Sequence, residues 1–146
     1  MMAIDELRIR QELEALNIAF WHDVDTDWGR HAHEYFTEDG VYTTSHKSRR
    51  GREEIRGFYA ERESRGPRVA RHLIHNFHVT VRDADHATAE WTMCLYADDG
   101  VPPLMSEPPI LIGAVRDECV RGADGRWRYA SRTTSPLFKG SRPTSG

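Results

Sequence analysis

The feature that most constrains the fold of this chain is a change in hydrophobic period near residue 67. Before it, apolar residues recur at steps of four, three, four and four, which predicts a helix over about residues 4–24. These residues are Ile9, Leu13, Leu16, Phe20 and Val24. After it, strict alternation predicts four long strands, at residues 69–82, 87–98, 110–121 and 126–135. Helices followed by a run of strands indicate an α+β fold, in which a strongly curved antiparallel sheet wraps the helices.

Two further helices are predicted before the change of period. A short one begins after Thr26 or Asp27 as cap and ends at the turn sequence TEDG. The next segment, VYTTS, is typical of a short strand. A third helix is bracketed by Gly51 and Gly66, with Ile55, Phe58 and Tyr59 as its buried stripe. The inward residues of the short helix are Trp28, Ala32, Tyr35 and Phe36.

Length and charge narrow the class of protein. The 146 residues suit one domain, which we assign to residues 1–138, with 139–146 as a flexible tail. A net charge of -3 provides no basic surface for nucleic acid or an anionic membrane. No run approaches the roughly 20 apolar residues of a membrane helix. Cys94 and Cys119 lack metal-type spacing and no signal peptide opens the chain, which favours a cytoplasmic protein with free thiols.

The predicted strand that contains RHLIHNF is unusual because it carries two histidines and an asparagine where a core strand would carry valine or isoleucine. Alternation places one set of residues together on one face of this strand. That face is too polar for a dry core, so it lines a cavity or else faces water on an exposed sheet. The set is His72, Ile74, Asn76, His78 and Thr80.

Four stretches of the sequence together resemble a known family. They are DVDTDWGRHAHEYFTEDGVY, GREEIRGFYAER, RHLIHNFHV and RDECVRGADGRWRYASR. In their order, over roughly residues 5–138, they resemble the SnoaL-like branch of the nuclear-transport-factor-2-like superfamily. In motif they are most similar to the scytalone dehydratase, bile acid dehydratase and hexachlorocyclohexane dehydrochlorinase group. The resemblance implies a cone-shaped barrel of sheet and helices and a habit of pairing sheets into dimers or trimers.

The resemblance also implies a catalytic dyad. The strand histidine of that group falls on His72, and the aspartate after the first helix falls on Asp25. A neutral imidazole suits removal of a proton from carbon near neutral pH. A carboxylate on its far nitrogen fixes the tautomer and stabilises the imidazolium that forms. Asp23 and Asp27 lie equally near the helix end, so a plain turn role for Asp25 stays open.

Further site residues follow from the resemblance or from position. Arg132, the arginine that closes the last strand in the family pattern, could hold an anionic leaving group or a substrate carboxylate, although a surface ion pair would also explain it. The tyrosine that several dehydratases place before the aspartate is missing here. Thr44 occupies the position of the ketosteroid isomerase base, which argues against isomerisation by that base. The predicted substrate-binding residues are Asn76, Phe20, Trp21, Tyr42, Thr44 and Asp117.

We expect neither metal nor cofactor. His31 and His33 diverge on a helix, and His72 and His75 face opposite sides of a strand, so no ligand set converges. The leading hypothesis is a cofactor-independent lyase, of dehydratase or dehydrohalogenase type, or an isomerase, which acts on a small hydrophobic and cyclic substrate by proton abstraction. The alternatives are a non-catalytic ligand-binding or assembly module and the small subunit of a ring-hydroxylating dioxygenase.

A small molecule is the expected partner, together with further copies of the chain as a dimer or trimer. The segment ATAEWTMCLYA is apolar on both sides of its predicted strand. If Thr92 and Cys94 face the pocket, then Trp91, Met93 and Leu95 face outwards and need a cover. We therefore expect self-association through the outer face of the sheet.

Overall fold

The computed structural model describes residues 3–45 and 47–144. The helices are α1 (Ala3–Asp27) and α2 (Arg52–Ser64), with one short 3₁₀ turn at Ala32–Tyr35. The strands are β1 (Phe36–Thr44), β2 (Lys47–Arg50), β3 (Arg68–Asp83), β4 (His86–Asp99), β5 (Leu111–Arg121) and β6 (Trp127–Lys139). The prediction of an α+β fold is confirmed, and the four strands predicted after residue 67 end within four residues of the observed bounds.

All six strands belong to one curled sheet in the order β2-β1-β6-β5-β4-β3. The pairs β3 with β4, β4 with β5, and β5 with β6 are antiparallel, as predicted. The sheet is not wholly antiparallel, however, because β1 runs parallel to β6, with Val41 opposite Ser131 and Thr44 opposite Thr134. An alternating pattern indicates a strand but does not indicate the direction of its partner, so this pairing could not be predicted.

The prediction of three N-terminal helices is not confirmed. The segment after α1 forms a single 3₁₀ turn, and Phe36 already begins β1. The chain leaves α1 through two residues with positive φ, Trp28 at 61° and Gly29 at 68°, which end the helix. Gly29 is required by space as well, because a Cβ there would lie 2.6 Å from the ring of Tyr59. Only eight residues separate the end of α1 from the start of β1, which is too few for a second full helix after this turn.

The core lies between the inner face of the sheet and the apolar stripe of α1. Ile9, Leu13 and Phe20 on that stripe are buried, while Leu16 and Val24 are half-buried. From the sheet they meet a set of buried side chains on β4, β5 and β6. That set comprises Trp91, Met93, Leu95, Val115, Cys119 and Tyr129.

A β-bulge in β3 changes which residues face the core. His75 pairs with Thr92, and His78 pairs with Glu90. Two residues of β3, Asn76 and Phe77, therefore lie opposite one residue of β4, Trp91. Asn76 has a φ of 55° and is exposed. The predicted face is therefore correct as far as Ile74 and wrong beyond it, because the extra residue moves the following side chains to the opposite face. The residues that face the core after the bulge are Phe77, Val79 and Val81.

The faces of β4 are the reverse of those assumed for self-association. Trp91, Met93 and Leu95 are buried in the core, and Thr92 and Cys94 lie half-buried on the outer face. The reason given for a covered outer face was therefore wrong, and self-association stays a prediction. The outer face does carry a row of apolar residues that lie opposite one another across four strands. They are Leu73, Cys94, Ile112 and Phe138.

The segment after β6 packs back against the molecule. The N–H of Gly140 donates to the carbonyl of Ile110 over 2.9 Å, and Arg142 pairs with Asp98. Thr144 reaches the wall of the cavity described below. Flexibility of this tail stays a prediction, and its last two residues lie outside the described part of the chain. Within that part, no helix is long and apolar enough to cross a membrane.

Candidate active site

A cavity of about 290 Å³ opens between the end of α1, helix α2 and the inner face of the sheet. Its wall is mostly aromatic and aliphatic, which suits a small ring-shaped ligand. Apart from the tyrosines, the ionisable side chains of the wall lie at two places, Asp25 with His72 and Arg62 with Arg68, and the other polar residues are threonines and a serine. The apolar wall includes Trp21, Trp28, Tyr42, Phe58, Met93 and Leu95.

Asp25 and His72 form a hydrogen-bonded pair on the cavity wall. Asp25 lies in the last turn of α1, which packs along β3, so the fold brings together two residues that are far apart in sequence. The Nδ1 of His72 lies 2.6 Å from Oδ1 of Asp25, and the backbone N–H of His72 donates to Oδ2 over 2.9 Å. The two side chains are 13% and 8% exposed. Both carboxylate oxygens are thus occupied by the same residue, which fixes the orientation of the imidazole.

The pair has one consequence for the chemistry of the ring. When Nδ1 donates its hydrogen to Asp25, the neutral imidazole carries its lone pair on Nε2. The ring of Trp21 stacks on that of His72, with centroids 4.1 Å apart and planes 17° apart, so the imidazole cannot rotate freely. His72 therefore has the geometry of a general base whose other nitrogen is held by a carboxylate.

The two neighbouring aspartates make different contacts. Asp23 accepts hydrogen bonds from the backbone N–H and Nδ1 of His31, at 3.0 and 3.1 Å. Asp27 pairs with Arg30, and neither aspartate lines the cavity. These hydrogen bonds and the charge of Asp23 raise the pKa of His31. Among the aspartates at the end of α1, the structure brings Asp25 to the cavity.

Two tyrosines on the wall of the same cavity form a further polar feature. The hydroxyl of Tyr59 donates to that of Tyr42 over 3.0 Å, and both rings line the cavity. Burial raises the pKa of Tyr42, and burial together with the proximity of Tyr42 raises that of Tyr59 well above its usual range. Both phenols are therefore neutral, and the hydroxyl hydrogen of Tyr42 is available to a ligand. The sequence placed Tyr59 only in a buried stripe.

Five of the predicted site residues lie together on the cavity wall. They are Asp25, His72, Trp21, Tyr42 and Thr44. Phe20 does not join them, because it is fully buried behind Trp21. Asn76 lies at the bulge of β3, where the change of face turns it away from the cavity to an exposed position.

Arg132 and Asp117 are placed in the core rather than on the cavity wall. Arg132 is fully buried and donates from Nε and Nη2 to the two carboxylate oxygens of Asp117, over 2.7 and 2.8 Å. Its Nη2 also donates to Asn17 over 2.5 Å. Burial opposes the charge, but Asp117 outweighs burial and raises the pKa of Arg132. Nη1 of Arg132 has no hydrogen-bond partner within residues 3–45 and 47–144. The side chain is fully buried and does not line the cavity, so a surface ion pair does not describe it and a substrate contact is not supported.

Arg62 and Arg68 were not among the predicted site residues, yet both line the cavity. Arg62 comes from α2, and Arg68 begins β3. A helix with three arginines gives no sequence signal that one of them is buried.

The described residues also contain one group of possible metal ligands, Asp23, Asp27 and His31, whose ligand atoms lie within 4.8 Å of one another. It lies away from the cavity, and Asp23 and Asp27 already accept hydrogen bonds from His31 and Arg30. The group is therefore explained by pairing within the chain.

Solved structures with the same architecture identify the class of fold. An NTF2-like protein with a cystatin-like fold from Novosphingobium aromaticivorans has a TM-score of 0.74 and 22% identity, over 94% of this chain and 88% of its own. A candidate scytalone dehydratase from the same species has a TM-score of 0.84 and 16% identity, over 98% and 93%. At these identities the likeness shows the fold, which is NTF2-like.

The sequence matches the SnoaL-like domain over residues 5–133, and the chain belongs to this family. A protein from Catenulispora acidiphila, solved in complex with S-DNPA, is 26% identical with a TM-score of 0.74, over 89% of this chain and 94% of its own. No curated protein matches the sequence. The resemblance stated from the four sequence stretches is confirmed at the level of family and superfamily.

Proposed function

We propose that this protein is a cofactor-independent lyase or isomerase, which removes a proton from carbon in a small cyclic substrate with His72 as general base. The observation that carries the proposal is the Asp25 and His72 pair on the wall of a mostly apolar cavity. The pair supports the proposal because it leaves the lone pair of Nε2 for the substrate and stabilises the imidazolium with a carboxylate at 2.6 Å.

In the proposed elimination, Nε2 of His72 takes a proton from the carbon next to a carbonyl group. The electron pair of that C–H bond forms the new double bond, and the leaving group departs with its bonding pair. For a dehydratase the leaving hydroxyl takes up one proton and leaves as water, which balances the proton taken by His72. Tyr42 is placed to donate a hydrogen bond to the carbonyl or to the leaving oxygen, because its neighbour Tyr59 already donates to it.

The comparisons support the proposal at a coarser level. The candidate scytalone dehydratase has a similar fold, and the Catenulispora relative was solved in complex with S-DNPA. The open cavity also agrees with a small-molecule partner. The binding-module alternative has no separate feature in its favour, because a non-catalytic pocket does not need a base held by a carboxylate.

The proposal is tested with 3-hydroxy-1-tetralone, which eliminates water and tautomerises to fluorescent 1-naphthol. We expect the wild-type protein to produce 1-naphthol and to incorporate deuterium from heavy water next to the carbonyl of 1-tetralone. His72→Ala should slow both reactions by roughly 10²- to 10⁴-fold, the usual effect of losing a general base. The His72→Ala protein should stay folded, with a melting temperature within a few degrees of the parental one.

The matched control is His75→Ala, because His75 lies three residues away on the same strand but is exposed and outside the cavity. It should retain the parental rate. A His72→Ala protein that reacts as fast as the His75→Ala protein would contradict the proposal. So would a wild-type protein that catalyses neither reaction.

A further inference from the structure

Arg62 and Arg68, the two arginines on the cavity wall, share one carboxylate oxygen. Nη2 of Arg62 lies 2.7 Å and Nη1 of Arg68 lies 3.2 Å from Oδ1 of Asp99. The side chains of the arginines are 10% and 14% exposed, whereas that of Asp99 is 76% exposed. The carboxylate of Asp99 therefore contacts the two arginines from the solvent side, while Arg62 and Arg68 line the cavity.

The donors of this pair are not all satisfied. Nε of Arg62 is buried and has no hydrogen-bond partner within residues 3–45 and 47–144. A buried N–H group of a charged side chain without a partner is costly and requires an explanation. Burial, followed by the charge of Arg68, lowers the pKa of Arg62, which agrees with a site that holds too much positive charge.

A charge count identifies the kind of group that would complete the site. The ionisable groups on the cavity wall outside the tyrosines are Asp25, His72, Arg62 and Arg68. A hydrogen bond to a neutral imidazole does not remove the charge of Asp25, but His72, its partner, lies about 13 Å along β3 from Arg68. At the arginine end, two positive charges meet the single carboxylate of Asp99, so one positive charge remains there for a monoanion. Two guanidinium groups are also the usual partners of a carboxylate.

We propose that the substrate carries a carboxylate, which Arg62 and Arg68 bind at the end of the cavity away from His72. This inference deepens the proposed function, because it names the chemical class of the substrate for the same cavity. Arg68 and His72 lie on the same face of β3, four residues apart, or about 13 Å along the strand. The carboxylate is therefore remote from the reacting carbon, with a ring system between them against the aromatic wall.

A remote carboxylate has a defined use in such a reaction. Its binding energy holds the ring in one orientation, so that the acidic C–H lies against Nε2 of His72 rather than elsewhere in an apolar cavity. The arginines take no part in the bond changes, and Arg62 and Arg68 determine specificity and position.

The test measures binding without reaction, with 2-naphthoate and its neutral analogue 2-naphthamide as probes. Quenching of tryptophan fluorescence reports binding, because Trp21 and Trp28 line the cavity. We expect the wild-type protein to bind the carboxylate roughly 10- to 100-fold more tightly than the amide. Arg62→Gln and Arg68→Gln should each bring the two affinities to within about two-fold of each other.

Two controls separate binding from stability and from catalysis. Arg65→Gln removes the same charge just after the end of α2, at an exposed position that pairs with Glu61, and it should keep the preference. Asp99→Asn removes the competing carboxylate and should tighten 2-naphthoate binding by about two- to five-fold. This increase cannot result from damage to the fold.

His72→Ala distinguishes this proposal from the proposed function. The variant should retain the full preference for 2-naphthoate even though it has lost the base. Equal affinity of the wild-type protein for the two probes, or no binding of 2-naphthoate, would overturn the carboxylate site and leave the dyad untouched. So would arginine variants that keep the preference.

Discussion

Two pairs of a carboxylate and a nitrogen base lie inside this molecule, and they differ in how many of their atoms are already bound. In the pair of Asp117 and Arg132, the carboxylate accepts from Arg132 twice and from Trp91 once, and the arginine also donates to Asn17. In the pair of Asp25 and His72, Nδ1 of the ring is bound, and Nε2 has no hydrogen-bond partner among the residues that the structure describes. Opposite charges in a buried pair are therefore not enough to indicate chemistry.

The two pairs also differ in the base itself. A guanidinium keeps its charge at any physiological pH, so it can neither take nor return a proton. An imidazole can do both. The rings of Phe20 and Tyr129 lie within 4.7 and 4.0 Å of the guanidinium carbon of Arg132, which closes it off from the cavity. Asp117 and Arg132 are therefore suited to stabilise the fold, whereas Asp25 and His72 have the geometry that the proposed reaction requires.

The largest expected effect concerns the fully buried pair. Arg132→Met leaves the carboxylate of Asp117 buried without its cation, which should lower the free energy of unfolding by about 3–5 kcal/mol. Urea denaturation measures this loss. The double variant with Asp117→Asn should lose less than the two single variants added together, because neither charge is then left alone. A loss below about 1 kcal/mol for Arg132→Met would contradict the stabilising role of the pair of Asp117 and Arg132.

A smaller loss of stability is expected at the dyad. Asp25→Asn keeps the shape but replaces a charged acceptor by a neutral amide, which should cost about 1–2 kcal/mol in unfolding. The larger change is in the ring of His72, because the amide no longer selects the tautomer with hydrogen on Nδ1. Long-range ¹H–¹⁵N spectra of the histidine side chains detect this directly. Unchanged ring nitrogen shifts in Asp25→Asn would mean that Asp25 does not hold the base.

The smallest effect is expected at the pair of the exposed His31 and the buried Asp23. Asp23 raises the pKa of His31, so this pair stabilises the fold fully below the unfolded histidine pKa of about 6.5. The contribution is lost as the pH rises through the higher folded pKa. His31→Gln should therefore be less stable than wild type at acidic pH, with the difference shrinking above neutrality. Urea midpoints across the pH range measure it, and a difference that grows with pH would contradict the assignment.

Much of the fold could be predicted because long amphipathic patterns determine it. The stripe of α1 and the alternation of β3 to β6 extend over ten or more residues each, so local exceptions do not hide them. The first half of β1 was missed because TEDG has the composition of a turn, although Glu38 and Asp39 lie exposed on a strand. The parallel pairing of β1 with β6 depends on contacts between distant segments, which no local pattern contains.

The candidate site was predictable only in part, for a similar reason. Asp25 and His72 came from a resemblance between families, since 47 positions separate them in sequence. The position of Arg132 could have been read from the chain, because Asp117 and Arg132 lie almost symmetrically about the turn between β5 and β6 and face each other in that hairpin. The positions of Arg62 and Arg68 could not be predicted, because burial of an arginine on a helix or at the start of a strand depends on which distant segments pack against it.

The bulge at Asn76 has a consequence for how this protein can change over time. It separates β3 into a polar half, which carries His72, and an apolar half, which packs with the core through Phe77, Val79 and Val81. A deletion of one residue there would exchange inside and outside along the whole apolar half. With the bulge in place, each half of β3 keeps its own pattern of inward and outward residues. New specificities can arise by substitution in the polar half without rewriting the pattern that holds the barrel together.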